Sequence, residues 1–315
     1  MAEVIVVLDG HALNPGDLRW DALHAFGDVT VYERTTPAAV VERAQKASVI
    51  LTNKVPLREE QFSQLPNLRY VGITATGYDI IDLQAAKSRD VTVTNVRNYG
   101  SATVAQHVFA MLLELTNHVA ENADSVRRGE WANSVDWCYW KHSILELDGH
   151  TLGLVGFGNI AQHVAQIGRA FGMQVLIHTR TPRADQDGLR FVSLEDVLRH
   201  SDVVSLHCPL SPQTQRMINA STLSQMQPQA LLLNTARGAL IDEDALAAAL
   251  QAGTIAGAAL DVLSQEPPAA DNPLIQAPNC LLTPHCAWAS LAARERLLQQ
   301  VVENLLLFLQ GSPRH

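Results

Sequence analysis

Arg237, Glu266 and His285 occur in that order within three short motifs, Asn234-Thr235-Ala236-Arg237-Gly238, Gln265-Glu266-Pro267-Pro268 and Thr283-Pro284-His285-Cys286-Ala287-Trp288. These are the residue types of a carbonyl-reducing site. A hydride acceptor that carries a carboxylate needs a cation to hold it and an acid to protonate its oxygen. The acid in turn needs a carboxylate to keep it charged. Arg237, Glu266 and His285 fill these roles.

Upstream lies Gly153-Leu154-Val155-Gly156-Phe157-Gly158-Asn159-Ile160-Ala161. It stands where an apolar strand gives way to a helical pattern, the context that a dinucleotide-binding turn requires. Gly156 permits the tight turn, and Gly158 lets the backbone N–H groups leading into Asn159 and Ile160 approach a pyrophosphate. Ala161 occupies the place where a third small residue packs helix on strand. The next strand ends in His178-Thr179-Arg180-Thr181-Pro182-Arg183, with no carboxylate at its tip for the ribose hydroxyls of NAD. Thr179, Arg180, Thr181 and Arg183 instead offer hydroxyls and guanidinium groups suited to a 2′-phosphate. The reading is a nicotinamide cofactor, NADP(H) favoured and NAD(H) as alternative.

The elements that must position these residues alternate along the chain. Short β-branched or apolar runs near residues 4–8, 29–32, 49–51, 70–73 and 91–94 are separated by helical stretches, including 36–46 with Thr36 as cap and Pro37 in its first turn. The alternation restarts at 151–156 and continues through 175–178, 203–206, 231–234, 256–260 and 280–283. Strands alternating with helices mean parallel sheets covered on both faces. The expected fold is α/β, two Rossmann-like doubly wound parallel-sheet domains. One continuous helix is expected over residues 101–128, and a last one over 290–309. The last has no strand after it and is expected to pack back on the first domain. The predicted division is therefore 1–99 with 288–315 for substrate, the discontinuous domain, and 100–287 for the dinucleotide.

Composition narrows the function classes. A formal charge of −9 over 315 residues, without a basic patch, argues against nucleic acid and anionic membranes as partners. The opening run Val4-Ile5-Val6-Val7-Leu8 shows no basic leader, and no apolar stretch is long enough for a bilayer, so a cytoplasmic location is expected. Cys138, Cys208, Cys280 and Cys286 have no metal-ligand spacing, and no metal is expected. Cys286 beside His285 reads as a packing residue, because nothing nearby supplies an oxyanion hole.

With these pieces in place the whole chain resembles the D-isomer-specific 2-hydroxyacid dehydrogenase family. Ala75-Thr76-Gly77-Tyr78-Asp79, Asn98-Tyr99-Gly100, Val104-Ala105-Gln106-His107-Val108-Phe109-Ala110 and Cys138-Tyr139-Trp140 resemble its glycerate dehydrogenase, or hydroxypyruvate reductase, branch. The resemblance implies that Arg237 binds the substrate carboxylate and carbonyl, and that Glu266 pairs with His285, the proton donor. It implies that the backbone N–H groups of Thr76 and Gly77 take the carboxylate, an expectation that a position between strand end and helix start would explain. Lys54 is expected to reach the same substrate. Implied cofactor contacts are Thr103 and Asp261 near the nicotinamide, Cys208 and Pro209 beside the ribose, and Thr214, Thr235 and Ala236. A homodimer is implied, with Trp140 from a second subunit completing the substrate site. The sequence departs from the family at Ala161, at Gln106 and, with a bearing on cofactor choice, at Thr179.

Other residues have blander readings. His107, His118, His142, His150, His163, His200 and His207 lack a paired carboxylate motif and are read as helix, loop or core residues. Asp79 with Asp82, and Glu243 with Asp244, are read as helix-capping charges. The overall reading is an NAD(P)-dependent reductase of a small 2-oxo acid to the D-2-hydroxy acid, hydroxypyruvate and glyoxylate leading. The alternative is a nicotinamide-cofactor-sensing binding protein of corepressor type, since fold alone does not separate the two.

Overall fold

The computed structural model describes residues 2–181 and 183–312; residues 313–315, assigned above to the discontinuous domain, lie outside them. The chain divides into two compact units, a discontinuous one of 1–100 with 288–315 and a continuous one of 101–287.

In the discontinuous unit, β1 (Glu3–Val7), β2 (Gly27–Val31), β3 (Val49–Thr52), β4 (Tyr70–Ile73) and β5 (Thr92–Thr94) form one sheet in the order β2-β1-β3-β4-β5. Every pairing is parallel. Val49, Ile50, Leu51, Tyr70 and Val71 are wholly buried, as continuous apolar runs must be when both faces of a parallel sheet are covered. The helix Leu291–Leu309 lays Ala293, Leu297, Val301 and Leu305 against Ile5, Val7, Leu51 and Tyr70 on one face. Those four positions recur at helical spacing, which is why one stripe of this helix is apolar.

In the continuous unit, β6 (Thr151–Val155), β7 (Gln174–His178), β8 (Leu189–Phe191), β9 (Val203–Leu206), β10 (Leu231–Asn234), β11 (Gly257–Leu260) and β12 (Cys280–Leu282) run in the order β12-β11-β10-β9-β6-β7-β8. The order reverses direction at β6, where the glycine-rich turn begins. That reversal is the switch point at which doubly wound sheets bind ligands. Again all strands are parallel.

Two expectations need correction, and one strand is additional. The stretch 101–128 is two helices, Ser101–Asn117 and Val119–Arg127, because His118 takes φ +51 between them. Residues 36–46 form a short 3-10 turn, Pro37–Ala39, followed by a helix Val40–Ala44, and the Thr36 side chain makes no capping hydrogen bond. The three-residue strand β8 was not anticipated, since Leu189-Arg190-Phe191 is too short to show a period. Among the described residues no helix is long and apolar enough to cross a membrane.

Candidate active site

Register places the chemistry in one row. Leu282 pairs with Leu260, Leu260 with Asn234, Asn234 with Leu206, Leu206 with Val155 and Val155 with His178, so these strands of the continuous unit finish level with one another. The residues that follow each strand end therefore share its carboxyl edge: His285, Asp261, Arg237, Cys208, Gly156 and Thr179.

At this edge His285 Nδ1 donates to Glu266 Oε2 at 2.5 Å. A carboxylate only accepts, so the contact puts a hydrogen on Nδ1 and orients the ring. Glu266 is itself fixed, its Oε1 accepting from Leu263 N at 3.1 Å. The loop that bears it is tied by Glu243, which accepts from Ser264 N at 2.5 Å and Asn272 Nδ2 at 2.7 Å. Glu243 is therefore a loop tie, and Asp242 is the residue that caps the helix Glu243–Gln251. Arg237 follows β10 on a turn shaped by Asn234, whose side chain donates to Arg237 O and accepts from Ala236 N, both at 2.9 Å. The Arg237 guanidinium is steadied by Ala236 O at 2.8 Å. Sequence reasoning passed over Asn234, although an amide ending the apolar run Leu231-Leu232-Leu233 was the available signal, and the structure buries that amide fully.

His285 has φ +53, a left-handed backbone that is uncommon for a residue other than glycine. Asp261 holds it there. The Asp261 carbonyl accepts from His285 N at 2.9 Å, and its carboxylate accepts from Cys286 N and Ala287 N, each at 2.9 Å, and from Thr283 Oγ1 at 2.6 Å. Burial and the charge of Asp261 push the Cys286 thiol up from its ordinary range. A thiol held protonated is a poor nucleophile, which agrees with its reading as a packing residue.

The cofactor-type residues fit a dinucleotide. Gly156 has φ +97, and a Cβ there would lie 2.7 Å from His207 O. A Cβ on Gly158 would meet nothing within 4 Å, which leaves open space over the start of the helix Asn159–Ala170. No side chain caps that helix, so its first N–H groups and its dipole face the opening. Thr235 Oγ1 is buried without a hydrogen-bond partner among the described residues, as a group awaiting a ligand would be. At the end of β7, Thr179 Oγ1 donates to Thr181 O at 2.7 Å, and Arg180 and Arg183 are exposed. Thr214 is spent locally, bonding Pro209 O and accepting from Ser211 N, each at 2.8 Å. Burial raises the Cys208 thiol, whose hydrogen points at the Met217 sulfur. Thr103 lies in the first turn of Ser101–Asn117.

In the discontinuous unit the loops after β1, β3, β4 and β5 are tied together. Asp9, buried beyond β1, accepts from Asn53 N at 2.8 Å and Lys54 N at 2.6 Å. Asn53 donates to Thr74 O at 2.6 Å, Asn95 donates to Thr76 O at 2.6 Å and Thr76 Oγ1 donates to Val96 O at 2.8 Å. These ties bring Lys54, Thr76 and Gly77 to one edge of their sheet. Asp9, Asn53 and Asn95 had no motif to announce them. The structure corrects the reason given for Thr76 and Gly77: no helix starts there, and the next one, Leu83–Lys87, is capped by Asp82. Among the described residues, Asp79 contributes only its carbonyl, to Arg58. Trp140 is 66% exposed on an irregular segment of the continuous unit that also exposes Trp131, Val135, Trp137 and Ile144.

Residues 109–287 match the model of the D-isomer specific 2-hydroxyacid dehydrogenase NAD-binding domain. A hydroxypyruvate reductase of Blautia hydrogenotrophica is 43% identical over 314 residues, 98% of each chain. A glycerate dehydrogenase of Methylorubrum extorquens is 42% identical, covering 100% of this chain and 99% of that one. Among solved structures, an NADPH-dependent glyoxylate/hydroxypyruvate reductase from Sinorhizobium meliloti, in complex with NADP and malonate, is similar with a TM-score of 0.83 and 30% identity, over 98% of this chain and 94% of that one. The chain belongs to the D-isomer-specific 2-hydroxyacid dehydrogenase family, in the branch of the glycerate dehydrogenases and hydroxypyruvate reductases.

Proposed function

We propose that this protein reduces hydroxypyruvate or glyoxylate to the corresponding 2-hydroxy acid, D-configured where a stereocentre forms, with a reduced nicotinamide cofactor. The observation that carries the proposal is the 2.5 Å contact of His285 with Glu266 at the carboxyl edge of the sheet that bears the glycine turn. Gly156, Gly158, Asn159, Ile160, Thr235 and Ala236 would hold the dinucleotide, with Thr103, Cys208, Pro209, Thr214 and Asp261 around it. When bound, the nicotinamide supplies the hydride. Arg237 holds the substrate carboxylate and carbonyl through its planar fork, which fixes the carbonyl carbon for attack and draws charge toward its oxygen. In the discontinuous unit, the N–H groups of Thr76 and Gly77 and the positive charge of Lys54 are the groups suited to a substrate carboxylate. Glu266 engages Nδ1 of His285, so the proton is delivered to the substrate oxygen from Nε2. In the reverse direction the same nitrogen takes the proton back.

NADPH is the preferred cofactor in this proposal, because β7 ends without a carboxylate and Arg180 and Arg183 offer charge-assisted bonds to a 2′-phosphate. The working form is a homodimer. The exposed run of Trp131, Val135, Trp137, Trp140 and Ile144 is the surface that supports this, with Trp140 completing the partner's substrate site. The test mixes pure protein with hydroxypyruvate or glyoxylate and either NADPH or NADH, and follows loss of the reduced cofactor's absorbance. Turnover with NADPH above NADH is expected, and Thr179→Asp should reverse the ratio by accepting from the ribose hydroxyls and repelling phosphate. Cofactor binding without turnover of any small 2-oxo acid would overturn the enzyme reading in favour of a sensor.

A further inference from the structure

His107 lies on the helix Ser101–Asn117, and its sequence context points to no more than a helix, loop or core residue. The structure places its Nε2 3.1 Å from Thr283 Oγ1 and 3.6 Å from Asp261 Oδ1. We infer that His107 is a positioning residue for His285, acting through Thr283 and Asp261. The inference rests on the reading of His285 as proton donor.

The direction of each hydrogen bond follows from the donor inventory. Asp261 is 1% exposed, and as a carboxylate it only accepts. The Thr283 hydroxyl has one hydrogen, and at 2.6 Å from Asp261 Oδ1 it donates there. His107 Nε2 must then carry a hydrogen and donate to Thr283. The chain of donation runs His107 to Thr283 to Asp261, and Asp261 in turn holds the N–H groups of Cys286 and Ala287. The held turn is the one that keeps His285 at φ +53.

His107 Nε2 is also a hydrogen-bond donor close to this buried carboxylate, 3.6 Å from Asp261 Oδ1. The Thr283 hydroxyl also has a competing acceptor in reach, the Met111 sulfur at 3.6 Å, one helical turn beyond His107, and the His107 N–H on its oxygen keeps its own hydrogen turned to Asp261. Rotation toward that sulfur would take one of three donors from the carboxylate. A less well satisfied buried anion holds its turn less firmly, and His285 loses its fixed orientation. The His107, Asp261 and Cys286 donor atoms lie within 4.8 Å of one another, a spacing that also suits a metal, but the Asp261 oxygens are committed to N–H and O–H donors.

The experiment compares wild type, His107→Leu, His107→Gln and His285→Gln. Glutamine keeps an N–H that can reach Thr283, and leucine keeps the bulk without the donor. Hydroxypyruvate kcat and KM, NADPH Kd by fluorescence, thermal midpoint and hydrogen exchange of the peptide spanning residues 283–287 are measured. In His107→Leu, kcat should fall about 10- to 100-fold, the scale of a misplaced catalytic group. Exchange in the 283–287 peptide should rise about tenfold or more, with NADPH Kd nearly unchanged. His107→Gln should recover both turnover and protection. If leucine prevents folding, His107→Asn, too short to reach Thr283, takes its place. Wild-type exchange and turnover in His107→Leu, or equal impairment in His107→Gln, would overturn the inference. Full turnover in His285→Gln would instead overturn the proton-donor reading, and the exchange measurement would still decide whether His107 holds the turn.

Discussion

The two units use the same device at their sheet edges, and use it to different degrees. In each, an aspartate just past the end of a strand accepts from two successive backbone N–H groups of a loop that bears site residues. Asp9 holds Asn53 and Lys54 of the discontinuous unit, and Asp261 holds Cys286 and Ala287 of the continuous one. The difference is in what surrounds the carboxylate. Asp9 holds a turn with no left-handed residue, whereas Asp261 also recruits Thr283 and the carbonyl-bound N–H of His285, which has φ +53. A loop that only binds substrate tolerates small displacement. A proton donor does not, because transfer requires hydrogen-bond reach and alignment in the transition state.

Substitutions can break that comparison. The largest effect is expected for His285→Gln, which should lower hydroxypyruvate reduction by about 10²–10⁴-fold, the usual contribution of a general acid. Its NADPH affinity should stay near wild type. A loss of less than about tenfold would remove His285 from the role.

Next come the two aspartates as a matched pair. Asparagine at either position turns an acceptor oxygen into a donor facing an N–H, and leaving such a group unsatisfied costs about 1–3 kcal/mol. Asp261→Asn should lower kcat by roughly 10- to 100-fold, because the proton donor moves. Asp9→Asn should raise KM for the 2-oxo acid by roughly 5- to 30-fold with kcat nearly kept, an equilibrium change of about 1–2 kcal/mol. Steady-state kinetics on both variants decides. A fall in kcat alone for Asp9→Asn would mean the two clamps do the same work.

Acid separates the units in a different way. Burial pushes His207, in the continuous unit, down to about 4 from an ordinary 6.5. Between those values the unfolded chain binds a proton that the folded one refuses, so stability is lost as pH falls through that window, by at most about 1.4 kcal/mol per pH unit. In the discontinuous unit, burial raises the Glu3 carboxyl, but the Arg69 and Ser48 hydrogen bonds outweigh it and hold the group below 4.5. Its contribution is present above that value and declines only below it. Denaturation across pH should therefore show the continuous unit weakening first, and His207→Gln should flatten the slope. An unchanged slope would exonerate His207. The smallest effect is expected for Cys286→Ser, which should leave turnover within about threefold, since the clamp uses the backbone N–H of residue 286 and not its thiol.

Much of this protein can be read along the chain. Apolar runs of four or five residues, spaced by helical patterns, specify parallel sheets because only strands buried on both faces take such runs. The glycine turn is legible because Gly156 must adopt φ +97 against the backbone of His207. Arg237, Glu266 and His285 stand out in the sequence because each lies in a short motif whose residue types suit carbonyl reduction. What the chain does not reveal are contacts that fall between distant segments. Nothing in the sequence near Asp9 points to Asn53, and nothing near His107 points to Thr283, because a hydrogen bond carries no period and no spacing of its own. The break at His118 escaped for a related reason, since a left-handed residue in a helical pattern leaves the pattern intact on both sides. The sequence by itself determined the strands other than the short β8 and their order of succession, and it singled out Arg237, Glu266 and His285. Only the tertiary structure decided how those side chains are held, because register brings six strand ends level and lets one buried carboxylate at that edge gather three donors from the segment 283–287.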